Sequence, residues 1–132
     1  MKKIRFGILG AGGIADRRTM PGMQLAEHAE IVAVMELDPA VAERLRAKYS
    51  AKRAYTDEEA LLADPEIDAV SVCTPNALHE EMVVALLKAG KHVYVDKPLA
   101  VTAESADRIA AAARESKAFT RMVFNNRYFP ST

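Results

Sequence analysis

Runs of apolar residues alternate with stretches of helical periodicity from one end of the chain to the other. Ile4 to Leu9 is the first apolar run and predicts a buried strand. Gly10 to Gly13 forms a glycine turn, and a helix is expected to open near Ile14. Pro21 either breaks that helix or starts a second short one. Ile31 to Met35 predicts the next strand. Asp38-Pro39 then pairs an N-cap with a proline at the first helical position, predicting a helix to about Tyr49. Val41, Leu45 and Lys48 would share one side of it, flanked by Arg44 and Arg46.

The second half repeats the alternation. Arg53 to Tyr55 is a weak strand signal. Thr56-Asp57-Glu58-Glu59 reads as a capping box, with a short helix through about Ala63 and punctuation at Asp64-Pro65. Asp68 to Val72 predicts a strand, and Asn76 to Ala89 a helix closed by Gly90. His92 to Val95 predicts another strand, and Thr102 caps an alanine-rich helix to about Ser116. Ala118 to Phe124 reads as the last strand. Strand–helix alternation of this kind predicts an α/β fold with a doubly wound parallel sheet.

Composition narrows the class. A chain of 132 residues fits one domain. Eighteen basic and eighteen acidic residues leave no net charge, so nothing favours nucleic acid or an anionic membrane surface. The longest wholly apolar run, Met82 to Leu87, is too short to cross a bilayer. The single cysteine, Cys73, excludes an intrachain disulfide and suits a reducing, cytoplasmic setting. His28, His79 and His92 show no metal-ligand spacing, so no metal is expected. Met1-Lys2-Lys3 before an apolar run resembles a signal peptide, but Arg5 and the glycines at 7, 10, 12 and 13 fit a strand and tight turn better.

Candidate chemistry concentrates where strands end. Gly10-Ala11-Gly12-Gly13-Ile14-Ala15 fits G-x-G-x-x-[GA] between a strand and a helix. Gly10 permits the tight turn, Gly12 lets the backbone approach a pyrophosphate, and Ala15 keeps the helix close to the sheet. The N–H groups of Gly13 and Ile14, at the helix start, favour phosphate. Glu36 ends the second strand, 26 residues after Gly10. A carboxylate there accepts hydrogen bonds from a ribose 2′-OH and repels a 2′-phosphate. Leu37 follows, so no adjacent arginine receives that phosphate, and NAD is expected over NADP. A ligand-free glycine turn and an exposed strand-end acid are the plainer alternatives.

Two more loops sit at strand ends. In Thr74-Pro75-Asn76-Ala77-Leu78-His79, Pro75 stiffens the strand exit and Asn76 either caps the next helix or bonds a ribose hydroxyl. His79 lies one turn on, either facing the ligand or serving as an ordinary helix residue. In Asp96-Lys97-Pro98 the ammonium of Lys97 could donate to a substrate oxygen and stabilise charge developing there. Asp96 could hold that lysine as an ion-pair partner, and Lys97-Pro98 is a candidate cis bond. A solvated Lys-Pro turn is the alternative.

Taken in order, these segments resemble a known family. Gly10-Ala11-Gly12-Gly13-Ile14-Ala15, Ala33-Val34-Met35-Glu36, Val72-Cys73-Thr74-Pro75-Asn76 with His79, and Gly90 to Pro98 are similar to the N-terminal half of Gfo/Idh/MocA-type oxidoreductases, the glucose–fructose oxidoreductase and inositol dehydrogenase family. The resemblance implies a Rossmann domain that binds NAD or NADP, followed by a larger α/β domain that carries much of the substrate site. The implied reactions interconvert a hydroxyl and a carbonyl of a sugar, polyol or cyclitol. It places Lys97 beside nicotinamide and substrate as the catalytic lysine, and Thr74, Pro75, Asn76 and His79 on the loop at the nicotinamide end. It matches Asn125-Asn126-Arg127-Tyr128 to a segment whose arginine faces the cofactor. On this reading residues 1–124 are the dinucleotide-binding domain, and 125–132 begin a connection to a second domain that the chain lacks.

The departures carry weight. Asp96 stands where the family has Glu, which shortens its reach by one methylene. The family's Asp and His acid–base pair belongs to the second domain, so the 132 residues alone are expected to bind cofactor without turnover. A non-catalytic NAD-binding regulatory or interaction module is the alternative. Flavin or S-adenosylmethionine binding is weaker, since neither explains the Thr-Pro-Asn and Asp-Lys-Pro loops. Phe124, Tyr128 and Phe129 could leave an apolar patch for self-association, and homo-oligomers through it or through the missing domain are possible.

Overall fold

The sheet has six strands of three to seven residues, apolar at their buried ends in the centre of the sheet and mixed at its two edges. The strands are β1 (Ile4–Leu9), β2 (Ala29–Met35), β3 (Arg53–Tyr55), β4 (Ala69–Val72), β5 (His92–Val95) and β6 (Thr120–Met122). The computed structural model describes residues 2–124 and Pro130. All pairings are parallel and the strand order is β3-β2-β1-β4-β5-β6. The doubly wound sheet expected from the sequence is therefore observed, with the order that reverses between β1 and β4.

The helical elements are a π-helical segment (Ala11–Thr19), α1 (Met20–Leu25), α2 (Pro39–Lys48), α3 (Glu58–Leu62), a 3-10 turn (Asn76–Leu78), α4 (His79–Lys88) and α5 (Ala103–Glu115). Alternate strand residues feed two cores, one on each face. Ile8 and Val34 pack with Ala15, Met20, Leu45 and Tyr49 on one side. Leu9, Val70 and Val72 pack with Val83, Leu86 and Ile109 on the other. Fully burying a side chain such as Ile8 or Leu45 contributes about 1.5–3 kcal/mol, which holds the strand ends in fixed register.

Several expectations shift in detail. Pro21 opens a new helix rather than ending one: it lies in the first turn of α1. The preceding winding is wide, with the Met20 N–H donating to the Ala15 carbonyl. On α2 the buried positions are Ala42 and Leu45, with Tyr49 just beyond; Lys48 is exposed and pairs with Asp16 at 2.7 Å. The cap of α3 is Asp57, whose side chain accepts from the Ala60 N–H at 2.8 Å, so the capping box at Thr56 is not formed. The predicted helix at 76–89 divides into the 3-10 turn and α4. The last strand is only Thr120–Met122 and is exposed.

β2 also carries an irregularity that no apolar pattern announces. Phe6 pairs with Ile31 and Gly7 with Ala33, so Val32 is an extra residue in the ladder. At the end of the sheet where strands begin, Arg5 pairs with Asp68 at 2.8 Å. No described helix is long and apolar enough to cross a membrane.

Candidate functional site

The glycine loop sits where the strand order reverses. Gly10 adopts a φ of +74°, and a Cβ there would lie 3.0 Å from the backbone carbonyl of Cys73. Glycine is thus required twice, for its conformation and for the approach of β1 to the exit of β4. Gly13 has a φ of +75° with open space around it. The Gly12 N–H donates to Oε1 of Glu36 at 2.7 Å. A Cβ on Gly12 would lie 3.2 Å from that same oxygen, so the missing side chain admits the carboxylate to the loop. Ala11 and Ala15 are wholly buried, whereas Gly13 and Ile14 are exposed.

Glu36 is delivered by the end of β2, where its own N–H bonds the Tyr55 carbonyl at 3.1 Å. A cleft of about 600 Å³ opens here, lined by Gly10, Gly12, Glu36, Leu37, Thr74 and Pro75. Asp57 and Glu58, at the start of α3, complete its acidic side, and Leu78 and Met82 its apolar side. The sequence reading missed these four. Asp57 and Glu58 were legible only as helix-cap chemistry, and Leu78 and Met82 only as helix positions. No lysine or arginine lines the cleft among the described residues. Burial pushes the Cys73 thiol up from its ordinary pKa.

The cleft fits an extended dinucleotide on three observations. It lies outside the carboxyl ends of β1, β2 and β4, where such sheets bind nucleotides. Its floor is glycine at Gly10 and Gly12, where a Cβ would fill close approach. Its volume lies in the range of small-molecule sites. A larger apolar groove of about 800 Å³, lined by Ile4, Phe6, Tyr94, Phe119 and Arg121, lies at the opposite end of the strands. Its size does not make it the site, since among the described residues neither a glycine loop nor an acid at the carboxyl end of a strand lines it.

The neighbouring loops are placed by β4 and β5. Thr74 Oγ1 donates to Met82 Sδ at 3.1 Å. Asn76 is exposed, and neither the 3-10 turn nor α4 has a side-chain cap bond, so the capping role considered for it is not taken. His79 is wholly buried and does not line the cleft. Its Nδ1 lies 2.7 Å from the Pro98 carbonyl and its Nε2 3.0 Å from the Thr74 carbonyl. Asp96 Oδ1 accepts the backbone N–H of Lys97 at 2.9 Å. The ion pair expected between Asp96 and Lys97 is not formed: the carboxylate bonds the backbone instead. Lys97 is exposed, and no carboxylate lies within ion-pair distance of its ammonium among the described residues. The Lys97-Pro98 bond is cis. Arg127, with Asn125, Asn126, Tyr128 and Phe129, lies outside the described residues.

Comparison with known proteins agrees with this geometry. The profile of the oxidoreductase family, NAD-binding Rossmann fold, matches residues 4–124. A dTDP-3,4-didehydro-2,6-dideoxy-alpha-D-glucose 3-reductase of Saccharopolyspora spinosa is 39% identical over 91% of this chain and 36% of its own length. An inositol 2-dehydrogenase of Acidothermus cellulolyticus is 33% identical over 98% of this chain and 38% of its own. A 3-ketoreductase from Actinomadura kijaniata, solved with NADP and TDP-benzene, superposes with a TM-score of 0.92 at 32% identity, over 98% of this chain and 40% of that one. An NAD binding oxidoreductase from Klebsiella pneumoniae gives 0.80 at 39% identity, over 94% and 35%. The chain therefore spans less than half the length of these relatives. With the matching strand order and glycine loop, the chain belongs to the Gfo/Idh/MocA oxidoreductase family and forms its NAD(P)-binding Rossmann domain.

Proposed function

We propose that the cleft binds NAD in preference to NADP, with the pyrophosphate against Gly10, Gly12, Gly13 and Ile14 and the adenosine ribose at Glu36. The observation that carries this reading is the Glu36 carboxylate, held 2.7 Å from the Gly12 N–H at the mouth of the glycine loop. A 2′-phosphate would meet that charge, with Asp57 and Glu58 beside it and no lysine or arginine on the lining among the described residues. Thr74, Pro75 and Asn76 would form the wall toward the nicotinamide.

When bound, the nicotinamide supplies the hydride donor or acceptor. Lys97 then acts as the catalytic residue of this chain. Its ammonium has no carboxylate partner among the described residues and is free to donate to the reacting oxygen of a sugar, polyol or cyclitol. Asp96 fixes the backbone from which Lys97 projects. The 132 residues alone bind cofactor without turnover, because hydride transfer also needs the substrate held in place. Self-association through an apolar patch that includes the exposed Phe124 is part of the same proposal. Calorimetric titration with NAD and then NADP tests the reading. Saturable NAD binding at least about tenfold tighter than NADP is expected; equal or tighter NADP binding overturns the cofactor assignment.

A further inference from the structure

His79 is buried and its two ring nitrogens face the loop after β4 and the loop after β5. It opens α4, whose first turn is anchored to α5 where Ser105 Oγ donates to Glu80 at 2.6 Å. From this fixed base the imidazole reaches the Thr74 carbonyl with one nitrogen and the Pro98 carbonyl with the other. The ring is wholly buried, so water replaces neither bond. A ring nitrogen that carries a hydrogen donates to the carbonyl it faces. No other hydrogen bond joins the Thr74–Asn76 loop to Lys97-Pro98 among the described residues. Lys97 is the residue immediately before the tethered Pro98. The Asp96 N–H donates to the Val72 carbonyl at 2.9 Å and the Pro98 carbonyl lies 2.7 Å from His79 Nδ1, so the segment Asp96-Lys97-Pro98 is held at both ends.

We propose that His79 is a positioning residue: by bridging the Thr74 and Pro98 carbonyls it sets the spacing between the loop at the nicotinamide end and the loop that carries Lys97. The inference rests on the cofactor reading above. It also separates two parts of the site. The glycine loop and Glu36 are built on β1 and β2 and, among the described residues, share no hydrogen bond with His79. Loss of the bridge should therefore harm only the nicotinamide half of the ligand.

The test compares NADH with ADP-ribose, which lacks the nicotinamide ring, on wild type, His79→Leu and His79→Gln. Wild type should bind NADH more tightly than ADP-ribose. His79→Leu keeps the bulk but no N–H, and should lose about tenfold in NADH affinity while ADP-ribose stays within about twofold. His79→Gln, whose amide can donate to one carbonyl but whose oxygen cannot donate to the other, should fall between. Adding Lys97→Ala to His79→Leu should cost less than the sum of the single effects. Parallel weakening of both ligands would show a merely structural histidine and overturn the proposal. So would unchanged NADH affinity, or full additivity with Lys97→Ala. If His79→Leu fails to fold, seen as loss of both ADP-ribose binding and a cooperative melt, His79→Gln carries the same comparison. Failure of wild type to bind either ligand would overturn the cofactor reading itself, a different result from any of these.

Discussion

Gly10 and Glu36 show how much a single residue determines here. A methyl group on Gly10 would meet the Cys73 carbonyl at 3.0 Å from a backbone already at φ +74°. Gly10→Ala should cost about 1–3 kcal/mol in stability, measured by denaturant melts, and should abolish dinucleotide binding. Glu36→Gln keeps the shape and removes the charge. It should weaken NAD by up to about tenfold and raise relative NADP affinity, read by calorimetry. Both residues were legible in the sequence because glycines and a strand-end acid at this spacing have few other uses together. The roles of Asp96 and His79 were not. Residue type shows that Asp96 can pair with a lysine, but only the backbone geometry shows that it takes the Lys97 N–H instead. Likewise, nothing in the spacing of His79 indicates that two carbonyls from loops 19 and 5 residues away meet its ring.

At the scale of elements, hydrophobic period found the central strands β1, β2, β4 and β5, because strands buried on both faces are continuous apolar runs. The edge strands were less legible, β3 as a weak signal and β6 as a longer strand than the exposed Thr120–Met122 observed. Helix boundaries were less legible. Thr56 and Asp57 are both good caps, and the choice between them depends on where β3 releases the chain. The structure selects Asp57, with its side chain on the Ala60 N–H. Asp57→Ala should therefore cost about 1 kcal/mol, and Thr56→Ala well under half of that, by thermal or denaturant melts. The wide turn before Pro21 and the extra residue at Val32 lie beyond periodicity, since each depends on how neighbouring elements pack. α2 makes the same point. Lys48 sits at a core-like interval from Leu45, yet it turns outward because Asp16 offers it a carboxylate at 2.7 Å.

For the whole molecule, the two ends of the sheet have different work. The end where strands begin is tied by ion pairs, and the Arg5 guanidinium holds the Asp68 carboxyl down at about 2. A carboxyl depressed in the folded state stabilises above its unfolded pKa and ceases to do so as pH falls through the folded one. Stability should thus decline between about pH 4 and about pH 2, and Asp68→Asn should remove about 1 kcal/mol of that slope after solvent screening. Melts across that pH range check it. The end where strands finish carries the glycine loop, the acidic cleft and the two loops bridged by His79. The central claim is that the dinucleotide binds at this end and not in the larger apolar groove at the other. An amide-resolved NMR titration with NAD tests it most directly. Saturable shifts of the Gly12, Gly13 and Thr74 amides, with those of His92, Phe119 and Arg121 unmoved, are predicted. Shifts confined to the groove residues, or none at either end, would contradict it.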